Sequence, residues 1–107
     1  MTMNKYYDFL NISKKETGLN NHICISTSTG RPIPRIKVFI AEDPRETISV
    51  SIEDNPRKIA GKKGVVSEKD LELVSRWIIK NKEKLLYYLY TDEVDYAIDL
   101  INSLEKL

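Results

Sequence analysis

The chain has 107 residues, of which 41% are hydrophobic, a length that suits one compact core and is too short for two. Its 17 Lys and Arg residues against 16 Asp and Glu leave a net charge of +1, which excludes a global field for nucleic acid or an anionic membrane. The single cysteine excludes an internal disulfide framework and an all-cysteine metal site.

Neither a membrane span nor a secretion signal is predicted. No apolar run approaches the ~20 residues that cross a bilayer. Residues 1–10 include Asp8 and lack the apolar core of a signal peptide. We therefore expect a single cytoplasmic domain over residues 1–107, without membrane contact.

Residues 3–16 predict a short N-terminal helix. Tyr6, Phe9 and Leu10 recur at intervals of three and four residues, which places them on one side of a helix. Gly18 follows and is expected to end the helix in the left-handed conformation.

The middle of the chain predicts strands. Apolar residues alternate over 22–26, 35–41 and 47–53, and 58–60 suggests a short fourth strand. In the clearest strand, 47–53, the apolar face is expected to be buried and Ser49 and Ser51 to be more exposed. The short connections favour an antiparallel meander, because parallel pairs need long crossovers.

The last third of the chain predicts two helices. Ser67 and Asp70 resemble a capping box, so the first helix should span about residues 68–88. Its apolar face is widened by Trp77, Ile79 and Leu86, and Trp77 is expected in the core. A second helix should follow residue 91 or 92. The predicted class is α+β: a meander of three to four strands packed on one face by C-terminal helices, with a short N-terminal helix.

His22 and Cys24 lie two residues apart in a strand and therefore share a face. Such a pair can act as a nucleophile and its base. No orienting carboxylate or oxyanion hole is evident nearby, and no further Cys or His completes a zinc site. A structural role is therefore expected, with no catalytic residue, metal or cofactor.

Cations form three clusters that could contact phosphates. Arg31 and Arg35 flank a stiff proline-containing loop, and guanidinium groups suit phosphate or carboxylate. A basic turn with Gly61 and Gly64 lacks the phosphate-binding P-loop pattern; its cations are Arg57, Lys58, Lys62 and Lys63. The third cluster recurs every four residues along the long helix: Arg76, Lys80 and Lys84. The alternative in each case is a solvated surface.

The aromatic cluster near the end of the long helix is the best candidate for a protein interface. It comprises Leu86, Tyr87, Tyr88 and Tyr90. Tyr87 and Tyr90 share a side of the helix, whereas Tyr88 points about 100° away from Tyr87. Since the core can absorb only one of these directions, at least one ring should stay on the surface, where tyrosine is typical of interfaces.

The segment from residue 48 to 90 resembles small bacterial proteins that share domain of unknown function 4160. The likeness lies in a strand, a glycine-bearing turn and a helix with mid-course tryptophan: Ile48–Ile52, Gly61–Gly64, Trp77-Ile78 and Asn81–Leu86. The family's paired-histidine strand is missing, since the equivalent strand is 35–40, so an activity carried by those histidines should be absent. Some relatives stand beside small regulatory genes, as in toxin–antitoxin loci, which implies a protein partner.

Two functions therefore stay open. The first is a non-enzymatic protein-interaction domain that self-associates through its tyrosine-rich helix end. The second is a nucleic-acid-binding or RNA-cleaving protein that uses the basic loops. Steep salt dependence of nucleic-acid binding would distinguish them.

Overall fold

The computed structural model describes residues 9–26, 33–39, 47–62, 64, 66–91 and 96–107. Five strands form one sheet: β1 (Phe9–Ile12), β2 (His22–Ser26), β3 (Arg35–Phe39), β4 (Thr47–Ser51) and β5 (Lys58–Gly61). Three helices accompany them: α1 (Lys14–Thr17), α2 (Glu68–Thr91) and α3 (Tyr96–Ser103). The predicted α+β class, with its antiparallel meander and C-terminal helices, is confirmed.

Residues 3–8 of the predicted N-terminal helix lie outside the described residues, and the rest of its predicted range is a strand followed by the start of a short helix. Residues 9–12 form β1, which pairs antiparallel with β2 and places Ile12 opposite Ile23. Ser13 and Glu16 form a capping box that starts α1 at Lys14. Gly18, with φ 79°, ends α1 in the left-handed conformation as predicted. Pairing with β2 therefore overrides a weak local helix preference.

The strands follow one another across the sheet in chain order, and all neighbours are antiparallel. Residues of one face stand opposite each other from strand to strand, as Ile23 faces Val38 and Val38 faces Ile48. This face is dry, because Ile23 and Val38 are 0% exposed and Ile48 is 2% exposed. Burial of these branched side chains is the main contribution of the sheet to stability.

The inner strand β4, which pairs with β3 and β5, is buried on both faces, and this contradicts half of the prediction. Val50 and its apolar neighbours are buried as expected, yet Ser49 is 8% exposed and Ser51 is 0% exposed. Ser51 is covered because its hydroxyl contacts Glu53 and accepts a hydrogen bond from the backbone N–H of Arg57 at 3.0 Å. A polar residue can be buried without a penalty when such partners satisfy it.

The edge strand β5 depends on one glycine. Gly61 has φ 110° and lies opposite Ile48, and a Cβ atom built on it would come within 2.7 Å of the Ile48 Cα atom. Only glycine combines this close approach with a positive φ. The register shifts between Ser49 and Val50, so the pairing is irregular here.

The long helix α2 begins as predicted and covers the apolar face of the sheet. The Ser67 hydroxyl accepts a hydrogen bond from the backbone N–H of Asp70 at 3.1 Å. Trp77, Ile78 and Leu85 are 0% exposed and belong to the same apolar cluster as the strands. The prediction that Trp77 lies in the core is confirmed.

The residues of α3 and the C-terminus pack against the rest of the fold. Leu100 of α3 is fully buried and belongs to the same apolar cluster as α2 and the strands. The backbone N–H of Leu107 then donates to the carbonyl of Thr17 at 2.9 Å, so the final residues lie beside α1.

Candidate functional site

The exposed side of α2 carries the largest apolar groups on the described surface. Tyr87 is 51% exposed and Tyr90 is 73% exposed, whereas Tyr88 is 4% exposed and packs in the core. The prediction that at least one ring stays on the surface is confirmed. Tyr88, which was predicted as part of the interface, is buried and is not available on this surface. Leu86 is half-buried and packs against the core.

Ile79 belongs to this exposed surface, although the sequence placed it in the buried face. It is 53% exposed. Ile79 precedes Tyr90 by eleven residues, which is close to three helical turns, so the two side chains lie on one side. The helical spacing back from Tyr90 would have predicted that Ile79 lies on this exposed side. We call Ile79, Leu86, Tyr87 and Tyr90 the α2 outer patch.

The three α2 cations that were predicted to contact phosphates have partners within the protein. Arg76 pairs with Glu72 at 3.1 Å. Lys80 donates to the carbonyl of Lys106 at 2.8 Å, and Lys84 donates to the carbonyl of Ser103. Two of the three predicted phosphate contacts therefore hold the C-terminal segment, and the stripe is not a free surface for a nucleic acid.

Asn81 completes this attachment of the C-terminal segment. It is 1% exposed, its amide nitrogen donates to the carbonyl of Glu105 at 3.0 Å, and its amide oxygen accepts from the N–H of Glu105 at 2.8 Å. The same nitrogen also donates to the carbonyl of Trp77 at 3.0 Å. The side chain thus satisfies both backbone groups of Glu105.

Among the described residues of the predicted basic set, Arg35, Arg57 and Lys58 lie at one end of the sheet and Lys62 at the other. Arg35 lies opposite Ser51, and the carbonyl of Arg57 accepts from the N–H of Ser51 at 2.9 Å, so both arginines flank this serine. Lys58 lies exposed at the same end of the sheet, whereas Lys62 follows the other end of β5. Arg31 and Lys63 lie outside the described residues.

Only part of this basic charge is available. The Arg57 guanidinium pairs with Glu53 at 3.1 Å, with 59% and 37% of the two side chains exposed. The Nε of Arg35 donates to the carbonyl of Ile33 at 3.2 Å. An exposed pair of this kind contributes little to stability, but it lowers the net charge offered to a ligand.

The Cys24 and His22 side chains share a face of β2, as predicted, and their surroundings do not favour catalysis. Partial burial raises the pKa of the Cys24 thiol above its usual range, and the charge of Lys37 offsets only part of that effect. The His22 ring stacks on Phe39, with ring centroids 5.4 Å apart. A reactive cysteine needs the opposite shift, since the thiolate is the nucleophile.

In the described part of the chain, no group of three or more His, Cys, Asp or Glu side chains is arranged to hold a metal ion. Within the same residues, no helix has both the length and the apolar character that crossing a membrane requires. The features with functional potential are thus the α2 outer patch and the face of the sheet that points away from α2.

Comparison with known proteins adds no relative. No protein-family model matches the chain, and no curated protein or solved structure is detectably similar to it. The functional assignment therefore depends on the geometry of these surfaces.

Proposed function

We propose that this chain is a non-enzymatic protein-interaction domain that self-associates through the α2 outer patch. The observation that carries the proposal is the exposure of three large apolar side chains on one side of α2: Ile79, Tyr87 and Tyr90 at 53%, 51% and 73%. Clustered apolar groups of this size on a surface are typical of protein interfaces. Tyrosine adds a large apolar ring with a polar tip, which suits such a contact.

The charges around the patch favour a second copy of this chain as the occupant. Arg76 lies three residues before Ile79, and Glu83 lies four residues after it. In an antiparallel pairing of two α2 helices about a two-fold axis at Ile79, Arg76 faces Glu83 of the partner subunit. A two-fold interface must be complementary to itself, and this arrangement satisfies that requirement.

The first test of the proposal is sedimentation velocity over a range of micromolar concentrations. Tyr90→Lys and Ile79→Lys place a charge in the patch and should shift the chain toward monomer. Leu107→Lys is the matched control, because Leu107 is also apolar and is 42% exposed, but lies outside the patch. A wild-type chain that stays monomeric throughout, or equal effects of all three variants, overturns self-association.

Charge reversal tests the antiparallel arrangement separately. Arg76→Glu and Glu83→Arg should each weaken the dimer, because each places like charges opposite each other. The double variant restores opposite charges and should recover the dimer. Failure of the double variant to recover it contradicts the pairing through Arg76 and Glu83.

The lack of enzymatic activity, the cytoplasmic location and the bacterial origin are also part of this proposal. The raised pKa of Cys24 supports the first, since it disfavours the thiolate at neutral pH. The single free cysteine is compatible with a reducing compartment. The resemblance of residues 48–90 to domain of unknown function 4160 supports a bacterial protein with a partner, as in a toxin–antitoxin-like locus.

A further inference from the structure

The face of the sheet opposite α2 has a composition that the packing of the fold does not explain. We call it the outer sheet face, and it carries His22, Cys24, Arg35, Lys37, Phe39 and Thr47. All six side chains are partly exposed, whereas their neighbours along β2 and β3, such as Ile23 and Val38, are 0% exposed and face α2. Alternation along β2 and β3 thus separates a buried face from a partly solvated one.

Positive charge collects on this face although the whole chain carries only +1. Arg35 and Lys37 project from β3, and Arg57 lies next to Ser51 at the end of β4. Among the described residues that lie on or against this face, Glu53 is the acid, and it is paired with Arg57. The acids of α2 lie on the other layer, so the described cations of the outer sheet face are left with an excess of positive charge.

An aromatic pair lies beside these cations. His22 of β2 is directly opposite Phe39 of β3, and their rings are stacked with centroids 5.4 Å apart and planes 18° apart. Lys37 occupies the next position of β3 on the same face and lies opposite Cys24 and Ser49. Cys24 and Ser49 are both small side chains, and Lys37 is partly exposed between them.

We propose that the outer sheet face binds single-stranded nucleic acid. Bases stack against the His22–Phe39 pair, while Lys37 and Arg35 contact the phosphates. Aromatic rings combined with a cationic track are the arrangement that single-strand binding requires, since every base offers a π-face and every linkage a negative charge. This inference goes beyond self-association, because it uses the sheet layer and leaves the α2 outer patch free.

Fluorescence anisotropy with a labelled oligouridine and an oligothymidine of equal length tests the proposal at several salt concentrations. Binding should weaken steeply with salt, and Lys37→Ala should reduce the slope of log K against log salt by about 0.7. Phe39→Leu keeps an apolar strand residue and should weaken binding about tenfold while leaving the salt slope unchanged. Lys69→Ala, an exposed cation of α2, is the matched control and should change neither quantity.

Competition with inorganic polyphosphate separates base stacking from charge alone. Polyphosphate should displace the oligonucleotide from the Phe39→Leu variant more easily than from the wild-type chain. Equal displacement from both, no salt-dependent binding, or an effect of Lys69→Ala as large as that of Lys37→Ala overturns the proposal. Melting temperatures of all variants confirm that each is folded, and His22→Ala provides a second stacking variant if Phe39→Leu does not fold.

Discussion

At the scale of single residues, two buried side chains of α2 stabilise the fold in different ways. Trp77 and Asn81 lie one helical turn apart on the buried side of α2, and both are at most 1% exposed. Trp77 fills the space under the sheet, while Asn81 satisfies the backbone of Glu105. The first acts by volume and the second by hydrogen bonding, so substitutions should separate the two effects.

Trp77→Ala should lower the free energy of unfolding by about 3–5 kcal/mol, because it leaves a large cavity in the core. Trp77→Phe should cost less, since it keeps much of the ring and removes an indole N–H that is buried and has no hydrogen-bond partner among the described residues. Urea denaturation measures both values. A Trp77→Ala variant with a wild-type unfolding midpoint would show that this side of α2 does not pack on the sheet.

Asn81→Ala should lower the free energy of unfolding by about 1–3 kcal/mol, because it leaves backbone groups of Glu105 without partners. It should also speed hydrogen exchange of the Glu105 amide, which donates to Asn81 at 2.8 Å. Asn102→Ala is the control, since Asn102 is exposed on α3. Similar losses in the two variants would contradict a special role for Asn81.

At the scale of elements, local signals set most boundaries, and contacts between elements adjust them. Ser67 begins α2 and Gly18 ends α1 through caps that the sequence predicts. β1 depends instead on a neighbouring strand, since residues 9–12 find their partners in β2. β5 likewise depends on how closely it can approach β4.

The two left-handed glycines near β5 provide a matched pair for a stability measurement. Gly64→Ala should cost about 1–2 kcal/mol, the penalty for a left-handed backbone, because no atom of the described part of the chain lies within 4 Å of the added Cβ. Gly61→Ala should cost clearly more, since its Cβ would also meet the backbone of Ile48 at 2.7 Å. Thermal denaturation of both variants compares them. Equal losses would show that β5 can move away from β4 without a penalty.

At the scale of the whole molecule, the two layers are joined by polar contacts as well as by the apolar cluster. The Lys82 amine on α2 contacts the Asp54 carboxylate, which follows β4, at 2.6 Å. This hydrogen bond, together with the charge of Lys82, lowers the pKa of Asp54 below its usual range. The same contact raises the pKa of Lys82. The pair therefore connects α2 to the segment that follows β4.

The stabilisation from Asp54 and Lys82 should be present between about pH 4 and pH 10, the usual pKa values of the two groups. It should be lost as the pH falls through the lowered pKa of Asp54, and as the pH rises through the raised pKa of Lys82. Asp54→Asn should therefore lower the urea midpoint slightly at pH 7 and not below the pKa of Asp54. In a Lys82→Met background the same substitution should have no effect at either pH; an undiminished effect would contradict the pairing.

Sequence patterns alone were enough to predict the α+β class, the alternating strands, the start of α2 and the surface position of a tyrosine ring. These follow from side-chain periodicity and capping, which act over a few residues. Three other features depend on contacts between elements: the pairing of residues 9–12 as a strand, the burial of Ser51, and the bonds from Lys80 and Lys84 to the C-terminal segment. The residues that form these contacts are far apart in sequence, or they meet only because the chain turns back between them. No local sequence pattern therefore predicts these contacts. The same holds for the stacking of His22 on Phe39, which brings an aromatic pair beside Lys37 only because β2 and β3 pair in this register.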